Sequence, residues 1–365
     1  MARSNYSSTA PETVKLWSKY LFTESLRRTV FSRFMVSDQK QNGLIQLLTD
    51  TVKESGDRVR VTLRGQLVGK GVVGDTAALR GSEESLTTFT DDISLDLLGY
   101  ATDTGSPISR QRTAFDIDAE VNYALADWAK NKLDIVFFNH LCGFTANTEV
   151  ADIGANAILA PDANHIVRTG AANTTDQAVG ADTTAGLTLA PLHTLLARAK
   201  TLNPNPIKPA YIPELGGSYY VMFLHPDQVT DLMREKSANS VAYSDLQLSA
   251  MSGGKIKDNP FFTDVIGTFR NILLVEAPYV TRGVHSTTGL AVANTRRAVF
   301  AGAQAMGIAI AGDYKNGDNL FKSINQSDDY GRLQGKGLET IYGMKKMRFN
   351  GLDFATIVLT TYVSV

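Results

Sequence analysis

The sequence predicts an α+β protein in which strands bracket helices irregularly, and three observations predict it. Residues 115–141 repeat their apolar positions at helical spacing for about seven turns. Around residue 59 the period changes to two, with Val59, Val61 and Leu63 alternating against Arg58, Arg60, Thr62 and Arg64. Near the end, Asn350-Gly351 separates two alternating runs, the strongest short hairpin signal a sequence carries. The elements do not follow one another as repeated βαβ units, so a doubly wound parallel sheet is not expected.

Composition sets the class. The chain has 365 residues, 43% hydrophobic and 20% charged, which is globular rather than disordered and leaves room for about two domains. Lys plus Arg number 36 against 37 Asp plus Glu, a net charge of −1. That balance argues against a general nucleic-acid binder and against a polybasic membrane anchor, both of which need a basic field. The single cysteine, Cys142, leaves no internal disulfide. Without an apolar run of about 18 residues or a secretion-signal core at the start, a soluble, reduced, intracellular product is expected.

In chain order, residues 1–35 place Leu16, Trp17, Leu21, Phe22, Leu26, Val30, Phe31 and Phe34 at spacings of three to five, predicting one or two short amphipathic helices. Residues 43–54 predict another helix, with Leu44, Leu47, Leu48 and Val52 on one side. From Val59 to about Gln111 runs a glycine-punctuated β excursion with too few bulky apolar residues to bury itself, so it should lie against something else. The helix over 115–141 carries Ile117, Val121, Ala124, Leu125, Trp128, Ala129, Ile135 and Val136 on one face. Tyr123, Asp127, Lys130, Asn131 and Asp134 lie on the other, and Cys142-Gly143 ends it. Residues 147–186, rich in Ala, Thr, Asn, Asp and Gly, predict a polar, surface-exposed excursion. A helix follows over 189–202, a buried strand over 219–224, and a helix opening at Pro226. Short strands at 272–275, 298–301 and 306–311 precede the closing hairpin.

Motifs that resemble chemistry dissolve under their own requirements. Gly69-Lys-Gly-Val-Val-Gly74 matches the dinucleotide pattern, but Asp75 brings negative charge to the phosphate position and Gly81 interrupts any following helix. Gly65–Gly71 and Gly331–Gly337 each approach a phosphate-binding loop, yet end in glycine where the metal-binding Ser or Thr belongs. The histidines His140, His165, His193, His225 and His285 share no metal-ligand spacing. His225-Pro226 predicts a turn, Cys142 a small buried hydrophobe, and Asp91-Asp92 a solvated acidic pair. No enzyme, cofactor or metal site is expected.

The order of elements nevertheless resembles a known family. An N-terminal arm, a long β flap, a long helix, a middle α+β region and a terminal hairpin follow one another in an order that resembles the Hong Kong 97 type of tailed-bacteriophage major capsid protein. Residues 55–63 (SGDRVRVTL), 69–75 (GKGVVGD), 79–86 (LRGSEESL), 109–116 (SRQRTAFD) and 344–354 (MKKMRFNGLDF) resemble the major capsid family of phages related to coliphage N-four. The likeness runs from about residue 14 to the C-terminus and is weakest over 147–186.

The resemblance implies an arm and short helices over 1–55 and an extended β loop over 56–112. It implies a peripheral domain from 113–186 and 325–365, with its spine helix at 115–141, and an axial domain over 187–324. It further implies a virion protein that self-assembles into hexamers and pentamers of an icosahedral head around double-stranded DNA, without sequence-specific binding. The loop would lie on a neighbouring copy, making Arg64, Lys70, Arg80, Glu83 and Glu84 intersubunit contacts. Scaffolding, portal and decoration proteins would be separate partners, met in the host cytoplasm during assembly, and no membrane is involved. The alternatives are another virion component, from the shell decoration or the tail, and a nucleotide-binding enzyme using Gly69–Gly74.

Overall fold

The computed structural model describes residues 29–36, 42–48, 56–64, 71–73, 83–85, 88–104, 107–112, 117–202, 205–212, 216–235, 265–311, 321–328 and 333–364. Strands β1 (Met35–Val36), β2 (Ile45–Leu48), β3 (Arg58–Arg64), β4 (Thr88–Ser94) and β5 (Asp96–Asp103) come first. Helices α1 (Pro107–Arg112), α2 (Ile117–Cys142) and α3 (Val150–Ile153) follow, then β6 (Ile166–Arg168), α4 (Asp176–Ala181) and α5 (Leu189–Thr201). Next come β7 (Ala210–Ile212), β8 (Gly217–Leu224), α6 (Pro226–Arg234), β9 (Val265–Phe269), β10 (Ile272–Glu276), β11 (Gly283–Val284) and β12 (Ala291–Val292). The chain continues through β13 (Thr295–Ala301), β14 (Met306–Ala311), β15 (Lys322–Asp328) and β16 (Leu333–Lys346). It closes with β17 (Arg348–Phe349), β18 (Leu352–Asp353) and β19 (Thr356–Tyr362).

Two sheets organise these elements. One runs β6-β19-β13-β8-β10-β9, with β7 also on β8; the other runs β1-β2-β14-β16-β15, with β5 also paired to β16. In the first sheet β8, β10, β13 and β19 are buried along most of their length, as strands covered on both faces are, Arg297 and the threonines of β13 and β19 included. Helix α2 touches β16 of one sheet and β13 of the other. Phe31 stacks on Phe137 with ring centroids 4.4 Å apart, and Phe34, Phe137 and Phe138 each set an edge against Phe223.

Packing on two sides corrects the expected two-faced helix. From Val136 to Cys142 every residue of α2 is buried, including Asn139 and His140. Asp134, expected outward, is fully buried, while Ala124, expected inward, is exposed. Lys132 reaches Asp152 in an ion pair. The His140 Nε2–H donates to the Ile153 carbonyl at 2.7 Å, and burial pushes the imidazole pKa down to about 4.

Other expectations shift where tertiary pairing overrides local pattern. Within 43–54, residues 45–48 form β2, lying parallel to both β1 and β14 rather than coiling into a helix; 49–55 fall outside the described residues. The arm helices over 1–28 also fall outside them, and the described 29–36 form a 3-10 turn followed by β1. From Leu333 the segment resembling a second phosphate loop is strand β16, and an added Cβ at Gly337 would meet the Ala101 Cβ at 3.3 Å. The hairpin signal is real but short. Asn350 (φ 56°) and Gly351 (φ 73°) turn β17 into β18 with the left-handed pair such a turn requires. The long flanking strands then part, β16 joining one sheet and β19 the other.

The expected exposed excursion over 147–186 is instead stitched into the core. Strand β6 pairs parallel with β19. Asp176 opens α4 fully buried, and its Oδ2 accepts from Arg297 Nε at 2.9 Å, Arg297 Nη2 at 2.7 Å and the Val284 amide at 3.1 Å. Oδ1 accepts from Arg168 Nε at 2.8 Å. Arg297 Nη1 also donates to the Gly143 carbonyl at 2.8 Å, closing the C-terminal end of α2. Burial opposes the Asp176 charge, but Arg297 and Arg168 outweigh it and hold the pKa below its ordinary 3.8. Cys142, beside this network, is buried as expected, and burial raises its thiol pKa.

Asp176→Asn leaves the buried Arg297 without its counter-charge and is expected to cost about 3–5 kcal/mol in urea unfolding at neutral pH. Because the folded pKa is depressed, the difference between variant and parent should be full above about pH 4 and shrink as pH falls through the folded value. Equal midpoints at pH 7 would contradict this role.

Candidate functional site

The β excursion expected from the alternation at Val59 is a two-stranded ribbon, with β3 and β4 paired from Arg58↔Ser94 to Arg64↔Thr88. Its root buries Val59 and Ile93 in a small second core with Leu48, Ala309, Met347 and Phe349. Val61, Leu63, Phe89 and Leu95 pack partly against that core. Among the described residues, apolar support thus reaches about as far as Leu63 and Phe89. Beyond them, the described residues 71–73 and 83–85 are largely exposed, with Val73 93% exposed.

Polar groups pin the root. Asp91 lies on the same inward phase of β4 as Ile93 and pairs with Lys345 of β16; its Oδ2 accepts the Arg348 amide at 3.0 Å. Lys345 also donates to the Asp92 carbonyl at 3.0 Å. Asn156 exchanges hydrogen bonds with the Ser94 backbone, 2.9 Å each way, and donates to the Met344 carbonyl at 3.2 Å. Asp91-Asp92 is therefore no solvated pair. Asp92 faces outward, where the Arg60 guanidinium directly opposite binds it at 2.7 and 2.9 Å and lowers its pKa.

Close approach at the root depends on two glycines. An added Cβ at Gly343 would lie 2.2 Å from the Ser94 carbonyl oxygen, and one at Gly307 would lie 2.6 Å from the Ile93 side chain. Below β16, Lys346 and Asp353 form a buried pair at 2.7 Å that holds the short hairpin. Burial lowers the Lys346 pKa and Asp353 opposes it.

The structure does not gather the expected contact residues into one cluster. Arg64 ends β3 opposite Thr88. Lys70 and Arg80 lie outside the described residues, and Glu83 and Glu84 are exposed on the returning limb. Sequence reasoning missed Asp91, Lys345, Asn156, Gly307 and Gly343. For Asp91 the signal was present, since it shares a phase with Phe89 and Ile93. Of Gly69–Gly74 only 71–73 are described, without helix. His225, read as a turn, caps α6, its Nδ1 accepting the Asp227 amide at 3.2 Å. Among the described residues no group of three or more His, Cys, Asp or Glu could hold a metal ion, and no helix is long and apolar enough to cross a membrane.

Gly343→Ala must push β4 off β16. It is expected to destabilise the protein by about 1–3 kcal/mol and to speed hydrogen exchange over 88–94 while leaving β13 protected. Unchanged exchange at 88–94 would refute the close-approach role.

Comparison with known proteins places this ribbon-bearing fold. A family model described as phage capsid protein matches residues 5–365. The major capsid protein of Pseudomonas phage KPP25 is 27% identical over 395 residues, covering 99% of this chain and 97% of that one. Among solved structures, the capsid of Ralstonia phage GP4 is 26% identical with a TM-score of 0.76, covering 100% of this chain and 99% of the other. The capsid of cyanophage Pam1 shares the fold at 19% identity with a TM-score of 0.70, over 99% and 96% of the two chains. Matched almost from end to end in sequence and in fold, this chain belongs to the phage capsid protein family.

Proposed function

We propose that this major capsid protein assembles with copies of itself into the hexamers and pentamers of an icosahedral head enclosing double-stranded DNA, an architectural role without a catalytic step. The observation that carries it is the fold match to the GP4 capsid over the whole chain. The ribbon supports the mode of assembly: its root is pinned by Asp91, Lys345 and Asn156, while Val73 beyond it is exposed and finds no apolar cover among the described residues. Such a surface is covered when a neighbouring copy supplies the missing side.

Within this reading the chain is of the Hong Kong 97 type and related to the phages of the coliphage N-four group. Residues 1–55 form the arm and 56–112 the extended loop. Residues 113–186 and 325–365 form the peripheral domain around α2, and 187–324 form the axial domain. Strand β19 then crosses from the peripheral segment into the sheet of β13 and β8. Arg64, Lys70, Arg80, Glu83 and Glu84 act at the intersubunit face. The net charge of −1 lets the shell enclose DNA without strong adsorption. Scaffolding, portal and decoration proteins are separate chains, and assembly takes place in the host cytoplasm.

Deleting residues 65–84 should leave a folded, soluble protein that forms no shells under negative-stain microscopy, where the full chain does. Small-angle scattering of the unassembled variant is expected near the roughly 21 Å radius of gyration of a compact chain of this length. Normal shells from the variant would overturn the loop's role. A full chain that stays a small oligomer would favour a decoration or tail component instead.

A further inference from the structure

Helix α2 carries one buried carboxylate that the fold does not neutralise. Asp134 is fully buried, and its Oδ1 accepts only a long bond, 3.3 Å, from the Val30 amide. Its Oδ2 has no hydrogen-bond partner among the described residues. Lys130, one turn earlier on α2, favours the charge from a distance. Tyr279, from the segment after β10, faces it but gives its hydroxyl to Asn131 Oδ1 at 2.7 Å. Asp134 thus meets the N-terminal segment 29–36 at the point where that segment seats. Phe31 stacks on Phe137, one turn along the same helix, and β1 then adds to β2.

We propose that Asp134 is a proton-operated latch: in its neutral form it seats segment 29–36 on α2, and in its ionised form it loosens that seat. A neutral carboxyl costs far less in this apolar site than a buried carboxylate, which has one weak donor and no adjacent cation among the described residues. Lifting segment 29–36 would let water reach the charge, so ionisation favours the lifted state. Burial pushes the Asp134 pKa up to about 7, against 3.8 for an exposed Asp. With the seated pKa raised, the latch is strongest below the exposed value and weakens as pH rises through about 7, above which both states are ionised.

The test is hydrogen exchange of residues 29–36 in the purified full chain, expressed as protection relative to the unfolded rate, from about pH 5 to about pH 8. Protection of this segment should fall at least about tenfold between pH 5 and 7 and then level off, while β13 stays constant. Asp134→Asn keeps the acceptor for Val30 and removes the titration, so its protection should be independent of pH across this range. The segment's own cation is removed in Arg33→Gln, which should retain the pH dependence. A flat profile in the unsubstituted chain would overturn the latch even if Asp134→Asn failed to fold. An unaltered slope in Asp134→Asn would overturn it as well.

Discussion

A single buried carboxylate sets the geometry on which the rest of this fold depends. Taking Asp176 out of water costs several kcal/mol unless matched cations and donors surround it. The groups that do so come from β6, from β11, from β13 and from β19, whose Thr360 hydroxyl donates at 3.3 Å. Arg297 then extends the same contact to the carbonyls that end α2. Five parts of the chain, distant in sequence, are satisfied only when all are in place. That requirement fixes the sheet edge and the helix end, and from there β16 carries the arrangement to the ribbon root.

Two aspartates show how environment decides what one residue type does. Asp176 and Asp134 are both buried, and burial opposes the charge of each. Asp176 has two guanidinium groups within hydrogen-bonding distance and is held ionised as a fixed rivet. Asp134 has one backbone donor and titrates near neutrality. The first is built for permanence and the second for adjustment. They sit at opposite ends of the same argument about desolvation.

What could be read from the sequence was what local spacing encodes. The long helix, the alternation from Val59, the apolar strand over 219–224 and the Asn350-Gly351 turn each announce themselves within a few residues. Strand β2 does not, because Ile45–Leu48 is extended only through its pairing with β1 and β14. The segment 147–186 is held by individual polar contacts of Asn156 and Asp176 rather than by an apolar stripe, so periodicity passes over it. The resemblance implied the ribbon as the site of function, and its root was hidden because Gly343 and Lys345 are distant from it in sequence. The five charges proposed for an intersubunit face would owe that role to a neighbouring copy, which no pattern within one chain encodes.

The place of β19 has a consequence for how such a protein is made. Residues 356–362 lie inside the sheet between β6 and β13, not at its edge. This interior strand follows every other strand of its sheet in chain order, so during synthesis the sheet cannot close until all of them have been made. A prematurely terminated product lacks that strand and cannot complete the sheet. Quality control of the sheet is thereby written into its topology: only a chain made through β19 has every strand that the sheet pairs.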